Sequence, residues 1–208
     1  MKKYTLTLTL LFIFSLQACN EHDDKHIATK GVEGGFQSQD EGKSFSEANN
    51  NLLSKATMLI QEENYSEAIN VYRDIIYQSP NEFAAYHGLG TAYYYLDDLV
   101  LAKNSYEKAI SLNTNLYQAY AGLGAIAKRS KNYSEAIYQF NSAISINKNY
   151  ALAYYGRAGV YEEINKYEKA SNDYNKVVSL APRSSLSIKA KEKLSAIEKL
   201  TSQSTPTQ

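Results

Sequence analysis

The chain has 208 residues, with 22 Lys plus Arg against 22 Asp plus Glu, one Cys, three His, no Trp and 19 Tyr. Balanced charge argues against a protein that coats nucleic-acid phosphates, and a single Cys excludes a disulfide scaffold or a cysteine zinc cluster. What remains is a mid-sized folded protein with one odd count, nearly a tenth of its residues being Tyr.

Residues 1–18 read as a secretory signal peptide. Met1-Lys2-Lys3 gives a positive start, and Tyr4 to Leu16 gives an apolar run too short to cross roughly 30 Å of hydrocarbon as a helix. Directly after it stands Leu16-Gln17-Ala18-Cys19, which holds the only Cys of the chain. This resembles the lipobox of bacterial lipoproteins: a Leu, a small residue before the cut, and the cysteine whose thiol receives a diacylglyceryl group. Gln17 is a less usual occupant, and the plainer alternative is an ordinary signal peptide with a chance cysteine. The resemblance implies lipidation at Cys19. The acyl chains, at about 0.8 kcal/mol per buried methylene, then anchor the mature chain to one leaflet without spanning it. Asn20 stands where Asp retains enterobacterial-type lipoproteins at the inner membrane, which implies the outer membrane of a bacterial envelope. Glu21, Asp23 and Asp24 faintly resemble surface-export signals, so periplasmic and surface-exposed placements both stay open. Cleavage leaves 20 basic against 22 acidic groups, a balance with no attraction for anionic lipid.

Residues 19–48 are expected to be a lipidated N-terminus and flexible tether. Four of the ten Gly fall between Asn20 and Gly42, with few large apolar groups, too little to fold alone. A coil of this length spans about 30 Å.

From Asn49 onward the chain repeats. Ala68, Ala102, Ala136 and Ala170 are spaced by 34, and four residues after each comes an aromatic: Tyr72, Tyr106, Phe140, Tyr174. Leu52, Tyr86, Tyr120 and Tyr154 form a further column, as do Leu59, Tyr93, Ala127 and Tyr161. Each copy holds two segments with apolar groups at helical spacing, such as Leu52, Ala56, Leu59 and then Ala68, Ile69, Tyr72, Ile75. Asn64-Tyr65, Asn132-Tyr133 and Lys166-Tyr167 mark the breaks between them. The pattern resembles the tetratricopeptide repeat, with copies at 49–82, 83–116, 117–150 and 151–184. Leu89-Gly90 and Leu123-Gly124 match that family's Leu-Gly pair, whereas Lys55-Ala56 and Arg157-Ala158 depart from it, as terminal copies do. The resemblance implies an all-α fold, a right-handed superhelical solenoid of about four helix-turn-helix repeats.

Gly88, Gly90, Gly122, Gly124, Gly156 and Gly159 fall inside first helices, where each costs about 0.8–1 kcal/mol relative to Ala. Close approach of neighbouring backbones is the expected offset. Residues 185–200 carry the stripe Leu186, Ala190, Leu194, Ile197, Leu200 and read as a C-terminal capping helix with a Lys-rich polar face. Residues 201–208 are expected to be a loose tail.

Groups for chemistry are thin, so no enzyme and no cofactor are expected. The one metal-like spacing, His22-x-x-x-His26 with Asp23 and Asp24 between, lies in the tether; an enzyme using these histidines is the rival reading. Asn64-Tyr65-Ser66 and Asn132-Tyr133-Ser134 fit a glycan acceptor pattern, but turn chemistry explains both. Function then falls to surface recognition of protein or peptide segments, with no nucleic acid and no small-molecule substrate. In the family resembled, the first helices line a concave groove. Carried over, its partner-binding residues are His87, Thr91, Tyr94, Tyr95, Gln118, Lys128, Arg129, Tyr155 and Glu162. The family's clamp for a terminal carboxylate is absent, since Leu53 and Thr57 stand at its early positions. Lys128-Arg129 and Glu162-Glu163 occupy equivalent places in adjacent copies and either pair with each other or form a charged ligand site. Eleven of the 19 Tyr fall in the repeat columns or the turns. Tyr77, Tyr94, Tyr95, Tyr117, Tyr138, Tyr150 and Tyr155 are left over and mark the expected binding surface. The reading is a lipid-anchored scaffold that helps assemble or position an envelope complex. Alternatives are a pilotin-like lipoprotein for secretin assembly in a type IV pilus or secretion system, and an adaptor for cell-wall hydrolases.

Overall fold

The computed structural model describes residues 39–203. Cys19, the signal segment, His22 and His26 lie outside the described residues. Within them are nine helices and no strand: α1 (Gln39–Gln61), α2 (Tyr65–Gln78), α3 (Phe83–Tyr95), α4 (Leu99–Leu112), α5 (Tyr117–Arg129), α6 (Tyr133–Ile146), α7 (Ala151–Glu163), α8 (Tyr167–Leu180) and α9 (Ser185–Gln203). The first helix starts at Gln39 rather than at Asn49, so the end of the expected tether is helical. At the other end, α9 runs on to Gln203 instead of stopping at Leu200.

One device ends each first helix. Glu63, Asp97, Lys131 and Asn165 all take left-handed backbone, with φ of 61°, 66°, 59° and 58°. The N–H of the residue that follows each returns to the carbonyl of Leu59, Tyr93, Ala127 or Tyr161, at 2.8, 3.0, 2.9 and 2.8 Å. The left-handed residue's own N–H reaches Ile60, Tyr94, Lys128 or Glu162, at 3.2, 3.2, 2.9 and 3.0 Å. This pair of bonds is a Schellman closure, which satisfies carbonyls that the helix end would otherwise leave open. The left-handed conformation costs an ordinary L residue about 1–2 kcal/mol, and none of the four is Gly. The next residue opens the second helix. Asp98 accepts the N–H of Leu101 at 3.1 Å and Asn132 that of Glu135 at 3.4 Å. Asn64 instead donates from its side-chain amide to Glu67, at 2.8 Å.

Between Ser105 and Tyr106, inside α4, the chain divides into two compact units. In the first, α2 packs on α1 and α3, and α1 also meets α3. In the second, α5 pairs with α6, α7 with α8 and α8 with α9, while α5 meets α7 and α7 meets α9. Each unit therefore repeats one arrangement, in which a second helix lies between its own first helix and the next one.

The aromatic column fixes that arrangement. The rings of Tyr72, Tyr106 and Tyr174 are fully buried and Phe140 nearly so. The sequence leads one to expect that the glycines permit backbones to approach, but the close neighbour is a ring. A Cβ added at Gly122 would stand 2.6 Å from the Tyr106 ring, and at Gly88 and Gly156 it would come closer still to Tyr72 and Phe140. Gly124 faces Phe140 from its own repeat, with its added Cβ at 2.9 Å. The rings of Tyr72, Tyr106 and Phe140 thus sit on first helices where a side chain is missing, and that burial offsets the glycine's cost to the helix. The register continues into α9, where the residue 34 after Gly156 is Ala190, also buried.

Gly122→Ala should therefore lower stability by about 1–3 kcal/mol through overpacking, although Ala is the better helix former by about 1 kcal/mol. Urea denaturation followed by circular dichroism measures it; a gain in stability would show that the Tyr106 ring yields freely.

Candidate functional site

In the second unit the first helices α5 and α7 and the terminal helix α9 carry a ladder of charges. Lys128 Nζ of α5 lies 3.3 Å from Glu163 Oε1 of α7. Glu162 Oε1 of α7 accepts from Lys193 Nζ of α9 at 2.9 Å. Glu162 Oε2 accepts from the buried Tyr174 hydroxyl at 2.8 Å, which ties the ladder to the core ring of α8. Of the two readings of the Lys128-Arg129 and Glu162-Glu163 pairs, mutual pairing is the one realised at Lys128 and Glu163. Gly159 makes room for it, because a Cβ there would stand 2.7 Å from the Lys128 ammonium. Both ion pairs are partly exposed, so each contributes no more than about 1 kcal/mol and acts mainly to orient the side chains.

Beside the ladder, Tyr155 is half-buried and packs edge-on against Tyr174, with ring centroids 5.4 Å apart. Burial, then the neighbouring Glu162 and Glu192, pushes the Tyr155 phenol above its ordinary value. Burial and the hydrogen bond to Glu162 push Tyr174 further up, so both hydroxyls stay protonated donors. Lys189 of α9 stands 34 residues after Tyr155, as Lys193 stands 34 after Gly159, so the terminal helix carries on the register of the groove-lining first helices. Burial pushes the Lys189 ammonium down. Arg129, at the end of α5, is exposed.

Other groove candidates lie deeper. His87, Thr91 and Gln118 are buried, and Thr91 donates its hydroxyl to the His87 carbonyl at 3.1 Å. Tyr94, expected at an open groove, is only 5% exposed and lies against Tyr95 at 5.8 Å. Tyr95 stacks on Tyr65 at 5.0 Å and is half-buried. Tyr117 and Tyr150 pack edge to face at 4.7 Å over the second unit's alanine-rich core around Phe140. Of the seven tyrosines left over from the repeat columns, Tyr77 and Tyr138 alone are exposed, and both are on second helices. The aromatic remainder therefore serves packing more than an open surface.

A cluster that the sequence marked only as a departure from the Leu-Gly pair surrounds Arg157. Its Nε and NH2 donate to the two oxygens of Asp173 at 2.8 and 2.7 Å, and NH1 donates to the Asn141 side-chain carbonyl. The guanidinium lies 5.5 Å from the Tyr154 ring centroid and 6.0 Å from that of Tyr161. Hydrogen bonding to Asp173 raises its already high pKa further. The signal was present: Arg157 shares a column with Lys55, Leu89 and Leu123, and Asp173 shares one with Val71, Ser105 and Gln139, so the fourth repeat alone puts opposite charges at both positions. Among the described residues no three His, Cys, Asp or Glu side chains gather to hold a metal ion. No helix among them is long and apolar enough to cross a membrane.

Helix pairs in one register, with a recurrent ring-on-glycine contact and charged first-helix faces, define a class: helical-repeat proteins. Within it, the family model of the tetratricopeptide repeat matches residues 83–116 and 151–184. The chain carries tetratricopeptide repeats. A solved structure of MamA is 24% identical over 76% of this chain and 90% of that one, with a TM-score of 0.56. The first TPR of Spaghetti (RPAP3), solved with the HSP90 peptide SRMEEVD, is 21% identical over 58% of this chain and 94% of that one, at a TM-score of 0.54. The Arabidopsis OM64 TPR domain is 25% identical over 56% and 94%, at 0.52. Likenesses of this order show the fold. No curated protein matches the sequence at significant similarity.

Two outcomes are expected. Asp173→Val alone strands Arg157 and should cost about 3 kcal/mol, whereas Arg157→Leu with Asp173→Val replaces the whole pair by apolar side chains and should be neutral or stabilising. Thermal unfolding of the single and double variants checks this. Burial pushes His87 down to about 4. The unfolded chain, with an ordinary imidazole near 6.5, therefore takes up a proton below that pH which the folded chain refuses. Stability is complete above about pH 6.5 and falls by about 3 kcal/mol as pH drops towards 4. In His87→Leu, which borrows the residue of the first repeat at Leu53, that part of the acid sensitivity should vanish in urea titrations at pH 7 and 4.5.

Proposed function

We propose that the chain is a lipid-anchored scaffold of the bacterial envelope that holds segments of partner proteins along its first-helix faces and is not an enzyme. The observation that carries this is the face formed by α5, α7 and α9. Tyr155 lies there half-buried near Glu162 and Glu192, on the face that carries the Lys128–Glu163 and Glu162–Lys193 pairs. A large ring with a protonated hydroxyl beside fixed charges of both signs suits an extended segment that brings apolar side chains and backbone groups. Such a segment competes for groups that at present pair with one another, so recognition favours partners whose charges can replace Lys193 or Lys128. The likeness to a repeat domain solved with a bound peptide supports this use of the fold.

Anchoring rests on the lipobox resemblance of Leu16-Gln17-Ala18-Cys19, and Asn20 favours the outer membrane. Escort of a secretin and recruitment of cell-wall hydrolases are the two narrower roles that such an anchored scaffold fits.

A photo-crosslinking amino acid at Tyr155 should capture a partner in native membranes, while the same probe at exposed Tyr138 on α6 should capture little. Equal capture at both positions would remove the groove from the proposal. Cys19→Ala should move the protein from the membrane to the soluble fraction, and retention in the membrane would remove the lipid anchor.

A further inference from the structure

The first unit exposes apolar side chains at one turn where the register puts polar ones. After the break between paired helices, three repeats read Tyr65-Ser66-Glu67, Tyr133-Ser134-Glu135 and Tyr167-Glu168-Lys169, but the second reads Leu99-Val100-Leu101. Leu96, Val100 and Leu101 are 46%, 69% and 40% exposed. Leu101 is held in place by its N–H to the Asp98 carboxylate, so the patch belongs to an ordered helix start. The turn before it, between α1 and α2, lies alongside, because Tyr65 at the start of α2 stacks on Tyr95 at the end of α3.

The two turns share one charge sign. Glu62 and Glu63 stand exposed in the first, Asp97 and Asp98 in the second, and neither 61–67 nor 95–101 contains a Lys or Arg. The corresponding turn after α5 has the opposite character, with Arg129 and Lys131. Exposed Leu and Val next to turns that carry carboxylates repel an anionic lipid surface and match a segment with apolar and cationic side chains.

We propose that this turn edge docks a basic amphipathic segment of a partner protein, at a surface separate from the first-helix groove. The site does not depend on the groove reading: its residues lie in the turns, and none lines the face that carries Tyr155.

The test titrates the full chain with a synthetic amphipathic peptide of Leu and Lys, labelled for fluorescence anisotropy, with a Leu and Glu peptide of the same pattern as control. The Lys peptide should bind and the Glu peptide should not. V100S/L101E installs the Ser-Glu pair of the first and third repeats and should weaken binding about tenfold or more. Val100→Ser alone should show a smaller loss if the double variant proves unstable. E62Q/E63Q should weaken binding several-fold and flatten its dependence on NaCl. Binding that ignores these substitutions, or equal binding of the Glu peptide, would overturn the proposal. So would a dimer in light scattering that V100S/L101E converts to monomer, since the occupant would then be a second copy. Flotation of C19A protein with neutral phosphatidylcholine vesicles that is lost in Val100→Ser would assign the patch to membrane and overturn it equally.

Discussion

An aromatic ring seated on a residue with no side chain is the contact on which the rest of the structure depends. Tyr72, Tyr106 and Phe140 project from second helices, and Gly88, Gly122 and Gly156 of the following first helices leave room for them. Interiors are close-packed, so a ring in contact distance forbids even one methyl at the facing position. Helix propensity is given up locally so that a large apolar surface can be buried between neighbouring repeats, and in an array of this kind the interfaces between repeats supply much of the stability. The left-handed residues that close each first helix work to the same end. They turn the chain sharply enough for the second helix to fold back, and they do so at positions occupied by Glu, Asp, Lys and Asn.

Where the apolar columns are interrupted, charge takes their place. The fourth repeat puts Arg157 where the second and third have Leu89 and Leu123, joins it to Asp173 by two hydrogen bonds, and sets the Tyr154 and Tyr161 rings about the guanidinium. The same repeat supplies Glu162 and Glu163, which bind Lys193 of the terminal helix and Lys128 of the preceding first helix. The end of the array is thus held by polar contacts as well as by burial, and these contacts lie on the face proposed for a partner. A partner that displaces them exchanges one set of partly solvated pairs for another, which costs little in stability.

The two proposed surfaces differ in chemistry for reasons rooted in the register. On the first-helix face, neighbouring repeats put unlike charges side by side. At the turn edge of the first unit, successive repeats put like charges together and one of them adds Leu and Val. Paired charges favour selectivity among segments that can replace them, whereas an acidic rim favours capture of a cationic one.

The 34-residue period, the alternation of helices and the breaks at Asn64, Asn132 and Lys166 were all legible in the chain, because a repeated fold writes its packing pattern several times over. The small and aromatic columns were legible too, but not their relation: glycine in a helix signals close approach without saying what approaches. Nor could spacing divide the tyrosines. Tyr94 and Tyr95 are adjacent, yet one is buried and the other stacks half-open on Tyr65, since exposure depends on how each helix is rotated against its neighbours. The pairing of Arg157 with Asp173, and of Lys193 with Glu162, joins residues on different helices. The sequence alone determined the repeat, its family and its turns, all of which rest on local periodicity; only the tertiary structure decided which side chains meet and which remain at the surface, because that follows from contacts between helices.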